Sequence, residues 1–176
     1  MKRKTRILAY CSILSALSVV ILLAGSFFSV LDLSAAALAS FVIIFVISEI
    51  GRPQAFAVFA VTALLSLILL PERSPAVFYS CFIGYYPILK SLIETRLPRF
   101  IGYALKLISF TAAFALILFV SVKLLAFEEF VGLYAVGLVA LGYIAFILYD
   151  LALSHIILFY YKIIRPRLNI GNKFRK

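Results

Sequence analysis

The feature that most constrains this chain is a succession of long apolar stretches separated by short turns that contain glycine, proline or charged residues. A helix of about 20 apolar residues crosses a bilayer, so six crossings account for most of the 176 residues. With 65% hydrophobic and 14% charged residues, the composition excludes a disordered chain and a sizeable soluble domain. The sequence predicts an all-α, polytopic membrane protein with a single integral membrane domain over residues 1–176. Its six transmembrane helices are predicted at roughly 7–28, 33–50, 54–70, 76–93, 99–125 and 130–164.

Prolines mark several of the turns between these stretches. Pro53 suits the first turn of the third helix, and Pro98 opens the fifth. Pro71 and Pro75 bracket a loop that neither flanking helix enters easily. The sixth stretch is too long for a hydrocarbon core of about 30 Å. Residues 150–164 therefore continue within the membrane, along its surface or into the cytoplasm, and the sequence leaves these alternatives open.

The basic residues lie at the ends of the apolar stretches and predict the orientation of the chain. If the N-terminus is cytoplasmic and the chain crosses six times, 15 of the 17 lysines and arginines face the cytoplasm. Only Arg73 and Lys123 then face outward, in agreement with the positive-inside rule. We therefore expect both termini to be cytoplasmic and the protein to lie in the cell (plasma) membrane. Orientation and contact with anionic lipid explain the net charge of +10 better than nucleic-acid binding does.

Small residues form two stripes along the first helix. Ala9, Ser12 and Ala16 follow one another at helical spacing, and Ser15 and Ser18 lie on a neighbouring stripe. Small side chains let membrane helices approach each other closely. The stripes therefore indicate either packing inside the bundle or a docking surface for another membrane subunit, and the pattern alone leaves both open.

The fourth stretch contains a Gly-Tyr-Tyr-Pro motif that ends at Pro87. Because Pro87 cannot donate a hydrogen bond to the carbonyl of Ile83, we expect a kink and a freed carbonyl that needs another partner. The aromatic residues Phe78, Tyr79 and Phe82 precede the motif on the outer half of the span. This combination indicates either a packing kink or a site for a flat heterocyclic ligand.

Lys90, Lys106 and Asp150 are the predicted intramembrane or near-membrane charges. Counted from the hairpin near residue 127, Lys106 and Asp150 should lie at similar depth near the inner leaflet. Lys90 is expected on the same side, four residues before Glu94, which is the spacing of an ion pair on one helical face. Two interpretations remain open. The charges are either a structural ion pair with lysines that extend to the interface, or groups that couple a conformational change.

The sequence lacks the residue patterns that catalysis commonly uses. It contains no Gly-x-Ser-x-Gly, His-Glu-x-x-His or Walker motif. Its one histidine, His155, has neither a second histidine nor a nearby cysteine to complete a metal site. We therefore expect a non-enzymatic protein with no cofactor and no metal, which would depend on a partner for any use of ATP.

The size, the six spans and the opening segment Ile7–Ser18 (ILAYCSILSALS) together resemble a known bacterial family. The chain is similar to the substrate-binding S components of energy-coupling factor (ECF) transporters. In that family the first span carries an Ala-x-x-x-Ala motif that docks on the transmembrane T component. The matching residues here are Ser12 and Ala16, with serine in place of the first alanine, and Ala9 extends the stripe by one turn. The related MreD-like cell-shape proteins have a similar size and number of spans.

The resemblance implies a subunit that binds a small molecule, often a vitamin, toward the outer half of the membrane. It also implies partners, namely a T-type subunit and two ATPase subunits. The ligand-binding residues would come from the outer loops and the later spans, and they are Asp32, Glu72, Arg73, Phe78, Tyr79, Phe82 and Tyr134. No substrate motif is present, so the ligand is open. The alternative function is a structural scaffold that organises partner proteins, as the MreD-like resemblance implies.

Overall fold

A computed structural model describes residues 2–28, 31–96, 98–124 and 133–164, and every regular element in these ranges is helical. Six helical stretches, one of them the combined run Ser74–Arg96, are long and apolar enough to cross a membrane. This confirms the all-α prediction and is compatible with a multi-pass membrane protein. The helices are α1 (Lys2–Ser26), α2 (Asp32–Glu49), α3 (Arg52–Leu69), α4 (Ser74–Phe78), α5 (Tyr86–Arg96), α6 (Arg99–Leu124) and α7 (Leu133–Phe159), with π-helical segments at Tyr79–Ile83 and Tyr160–Ile164.

The turns between the early helices follow the breaker residues. Gly51 separates α2 from α3 and has a φ of 139°, a conformation that glycine adopts without a steric penalty. Pro53 lies in the first turn of α3, as predicted. The next loop is shorter than predicted, because α4 already begins at Ser74 and accepts Pro75 in its first turn. The turn predicted at residues 128 and 129 lies outside the described residues.

α2 is the central helix of the bundle and packs on α1, α3, α4, α5, α7 and the first π-helical segment. Small residues form the N-terminal half of its buried face. Ala35 is 5% exposed, and Ala36, Ala39 and Ser40 are fully buried. Because these side chains are small, neighbouring backbones come close. A Cβ atom at Gly25 of α1 would overlap the Cβ of Ala35, so this helix pair depends on glycine.

The fourth predicted span is a composite of α4, the π-helical segment and α5. The N–H of Gly84 donates to the carbonyl of Tyr79, five residues back, at 2.8 Å. A Cβ atom at Gly84 would lie 2.8 Å from the rings of Phe59 and Tyr79, so a larger residue would force these rings to shift. Regular α-helical hydrogen bonding is therefore interrupted just before Pro87.

Aromatic rings from three spans fill the interior between the fourth span, α6 and α7. The ring centroid of Phe82 lies 4.8 Å from that of Tyr86, 5.4 Å from that of Phe110 and 5.7 Å from that of Phe146. Phe110 and Phe146 stack on each other at 4.4 Å. This aromatic core holds the C-terminal helices against the fourth span.

Candidate functional site

Four charged side chains from three helices meet in one place, here called the charge cluster. Lys90 and Glu94 come from α5, Lys106 from α6 and Asp150 from α7. Lys90 Nζ forms a salt bridge with Asp150 Oδ1 and lies 3.4 Å from Glu94 Oε1. Lys106 Nζ lies 2.7 Å from Glu94 Oε1 and 3.4 Å from Asp150 Oδ2. Two positive and two negative groups balance, and each ammonium group is within reach of both carboxylates.

The members of the charge cluster are buried to different degrees. The side chain of Lys90 is 1% exposed and that of Lys106 is 7% exposed, against 17% for Asp150 and 47% for Glu94. A buried charge is stable only with a counter-charge and hydrogen bonds. The predicted ion pair between Lys90 and Glu94 is confirmed, and Lys106 and Asp150 are in contact, as their predicted equal depth allows. The role of these residues in coupling stays a prediction.

Hydrogen bonds with uncharged groups complete the charge cluster. The Tyr86 hydroxyl donates to Asp150 Oδ1 at 2.7 Å. Lys90 Nζ also donates to the Asp150 carbonyl at 2.9 Å and to Ser154 Oγ at 2.7 Å. Tyr86 and Ser154 were not predicted as site residues from the sequence. A spacing of four residues places each on the same helical face as its charged neighbour, and this signal could have found them.

A second set of polar contacts joins the ends of α2 and α3 to other helices. Arg52 donates from Nη2 to the Ser91 carbonyl at 2.9 Å and to Thr95 Oγ1 at 2.8 Å, and from Nε to Ser91 Oγ at 3.2 Å. The Tyr160 hydroxyl donates to Glu49 Oε1 at 2.6 Å. The bonds of Arg52 fix the start of α3 to the last turns of α5. The bond between Tyr160 and Glu49 fixes the end of α2 to the C-terminal π-helical segment.

The carbonyl that Pro87 leaves free has a protein partner. The hydroxyl of Tyr149, on α7, lies 3.0 Å from the Ile83 carbonyl and 2.8 Å from Ser40 Oγ. Because Ser40 Oγ donates to the Ala37 carbonyl at 2.6 Å, the single Tyr149 proton is shared between Ser40 Oγ and the Ile83 carbonyl. The predicted need for a partner is confirmed. Because a tyrosine from α7 meets it, this carbonyl is occupied in the present conformation.

The aromatic residues predicted to face a ligand are packed inside the bundle. Tyr79 is 0% exposed and Phe82 is 4% exposed. The ring of Tyr79 lies 5.8 Å from that of Phe59 on α3, and Phe78 packs against the same core while partly buried. In this conformation the three predicted ligand residues contact other side chains. A ligand among them would require these rings to separate.

The remaining predicted ligand residues lie at the ends of helices. Asp32 is the first residue of α2, is 8% exposed, and its Oδ1 atom has no hydrogen-bond partner in the part of the chain that the structure describes. Glu72 and Arg73 are exposed in the loop between α3 and α4. Tyr134 belongs to α7, but its side chain lies outside the described part. Ligand binding by these residues stays a prediction.

The two small-residue stripes of α1 have opposite environments. Ser15 is 4% exposed and Ser18 is fully buried, on the side where α1 packs against α2 and α3. Ala9, Ser12 and Ala16 are exposed. The Ser12 hydroxyl donates to a carbonyl one turn earlier at 3.0 Å and so needs no outside partner. The stripe of Ser15 and Ser18 serves internal packing. The stripe of Ala9, Ser12 and Ala16, here called the open stripe, lies on the outer surface of the bundle.

Comparisons with known proteins found no match to this chain. A scan of family models gave no match, and neither did searches of curated proteins and of solved structures. Function is therefore inferred from the residues and from their arrangement.

Proposed function

We propose that this chain is the substrate-binding S component of an ECF-type uptake transporter in the plasma membrane, with both termini in the cytoplasm. The observation that carries the proposal is the exposure of the open stripe on α1, formed by Ala9, Ser12 and Ala16. In the family that the sequence resembles, the corresponding stripe docks on the T-type subunit.

The surroundings of the open stripe support docking by a helix. At 100° per residue, Leu8 lies on one side of the stripe and Ile13 on the other. Their side chains are 69% and 65% exposed, so they form ridges with the small residues between them. Association of helices in lipid depends on close packing, and a groove of small residues between ridges lets a second helix approach. The buried stripe of Ser15 and Ser18 is already used by α2 and α3, which leaves the open stripe for another protein.

A ligand site toward the outer ends of the helices fits the burial of Asp32. A carboxylate oxygen that is buried without a partner is costly, and a bound polar molecule would supply the missing contact. Glu72 and Arg73 on the adjacent loop are exposed and available to the same ligand. The energy for uptake would come from two ATPase subunits, since the chain carries no Walker motif.

The docking proposal is tested by co-purification of the tagged full-length chain from its native membrane in mild detergent. Ala16→Leu fills the open stripe, and Ala104→Leu adds the same bulk at an exposed position on α6. We expect the parent chain and Ala104→Leu to retain a T-type subunit and two ATPases, and Ala16→Leu to lose them while it keeps the thermal stability of the parent. Equal recovery of these partners by both variants would rule out docking through the open stripe.

A second measurement tests the ligand. Mass spectrometry of small molecules released from the purified chain should identify one compound in stoichiometric amount. Asp32→Ala should reduce its recovery at least several-fold, while Lys162→Ala, at an exposed position on the C-terminal π-helical segment, should leave it unchanged. Absence of any bound compound from the parent chain would count against an S component.

A structural scaffold is the second candidate, and the packed aromatic core favours it. Tyr79 and Phe82 are buried against other rings, and the Ile83 carbonyl is paired with Tyr149, so these groups are engaged within the bundle. A scaffold would recover partner proteins through the open stripe but no ATPases and no small molecule. The two measurements above therefore separate the candidates.

A further inference from the structure

The charge cluster contains two complete ways of pairing its charges. In the pairing that dominates the structure, Lys90 bonds to Asp150 and Lys106 bonds to Glu94 at 2.7 Å. The alternative partners are already close. Lys90 lies 3.4 Å from Glu94, and Lys106 lies 3.4 Å from both carboxylate oxygens of Asp150. A small shift of the two ammonium groups exchanges the partners.

The exchange leaves no charge without a counter-charge. Most buried ion pairs resist separation because each freed charge would be stranded in a medium of low dielectric constant. Here the cluster has two cations and two anions before and after the exchange. The barrier that normally locks a buried ion pair is therefore lowered at this site.

The two pairings connect different helices. The observed pairing ties α5 to α7 through Lys90 and Asp150, and α5 to α6 through Lys106 and Glu94. The alternative pairing closes Lys90 on Glu94 within α5, and it joins Lys106 of α6 to Asp150 of α7. The exchange would thus remove both ion pairs that tie α5 to its neighbours and would join α6 to α7 by an ion pair.

We infer that the charge cluster is a two-state latch whose exchange of ion-pair partners frees α5 to move against α6 and α7. The same span contains an element at which the motion can occur, since the π-helical segment, Gly84 and Pro87 interrupt its regular hydrogen bonding. π-Helical turns and prolines are common positions of helix bending. This inference does not depend on the proposed transport function, because it concerns only contacts within the chain.

Hydrogen bonds with uncharged groups stabilise only the observed pairing, so their removal can favour the other state without changing any charge. Ser154 Oγ accepts from Lys90, and the Tyr86 hydroxyl donates to Asp150, and both bonds join α5 to α7 in the observed state only. Ser154→Ala and Tyr86→Phe should therefore favour the released state without changing any charge. Lys106→Met should block it, because Asp150 would lose its only replacement partner in the cluster when Lys90 turns away.

The test measures distances between spin labels by pulsed electron paramagnetic resonance on the full chain in nanodiscs. Cys11 and Cys81 are replaced by alanine, and labels are placed at exposed positions, namely Arg96→Cys on α5, Phe100→Cys on α6 and Leu158→Cys on α7. The 96–158 pair reports release of α5, and the 100–158 pair is the internal control.

We expect Ser154→Ala to increase the population of a second 96–158 distance by roughly three- to tenfold, the effect of losing one hydrogen bond. The 100–158 distance should stay unchanged, and Lys106→Met in the same background should remove the second population. If Ser154→Ala does not fold, Tyr86→Phe tests the same expectation. A single, unchanged 96–158 distance in every folded variant would overturn the latch and leave the cluster a static structural element.

Discussion

Replacement of Lys90 by methionine measures how much the charge cluster contributes to stability. Methionine keeps most of the length of the side chain but cannot donate. The change removes the hydrogen bonds from Nζ to Asp150 Oδ1, to the Asp150 carbonyl and to Ser154 Oγ. Breaking a buried ion pair costs about 3–5 kcal/mol. Because Lys106 and Tyr86 still contact Asp150, we expect a loss near the lower limit, about 3 kcal/mol.

The loss is read from unfolding of the full chain by sodium dodecyl sulfate in mixed micelles, followed by far-UV circular dichroism. Lys162→Met is the matched control, because this lysine is exposed on the C-terminal π-helical segment. The control should change the free energy of unfolding by less than about 0.5 kcal/mol, as surface substitutions usually do. Equal stability of the two variants would refute the conclusion that burial makes the pairing of Lys90 essential.

A double-mutant cycle separates the ion pair from simple loss of packing. In Lys90→Met combined with Asp150→Leu, the carboxylate that has lost its main partner is also removed, and Lys106 keeps Glu94 as its partner. We expect the double variant to be more stable than Lys90→Met alone, with a coupling energy of at least about 1.5 kcal/mol. Additive losses would show that the two residues act independently.

Three further substitutions test other contacts by the same unfolding measurement. Gly84→Ala should cost about 1–3 kcal/mol because its methyl group would press on two aromatic rings, and an unchanged stability would show that the rings yield freely. Tyr149→Phe should cost about 1 kcal/mol because the Ile83 carbonyl loses its partner, whereas no loss would mean that another group replaces the hydroxyl. Arg52→Gln should cost about 1 kcal/mol because the bonds from Arg52 to Ser91 and Thr95 on α5 are lost. A gain in stability would contradict the assignment of these contacts as stabilising.

The number of spans could be predicted because glycine, proline and charge interrupt long apolar runs, which is a local property. The position of Pro53 in the first turn of α3 follows from the same local rule. The π-helical segment could not be predicted in this way. It depends on how Gly84 admits the rings of Phe59 and Tyr79, and these contacts join residues that are distant in the sequence.

The candidate site could also be predicted only in part from the sequence. Counting residues from the hairpin was enough to expect Lys106 and Asp150 at one depth, because helical rise is constant. Which charges pair across helices depends on rotation about each helix axis, and a strongly apolar sequence does not reveal this angle. The same ambiguity applied to α1, where only the structure distinguishes the buried Ser15 and Ser18 from the exposed Ala16.

The order in which the residues of the charge cluster are synthesised gives Glu94 a second role, during insertion of the chain into the membrane. Lys90 leaves the ribosome 60 residues before Asp150, so its span is inserted while its main counter-charge does not yet exist. A lysine costs up to about 2.5–3.5 kcal/mol at the centre of an inserting helix and less toward its end, where Lys90 lies. Glu94 emerges one helical turn later and gives the nascent hairpin a counter-ion of its own. An acidic side chain that is half exposed in the finished bundle can thus be most valuable during biogenesis, when α7 has not yet been translated.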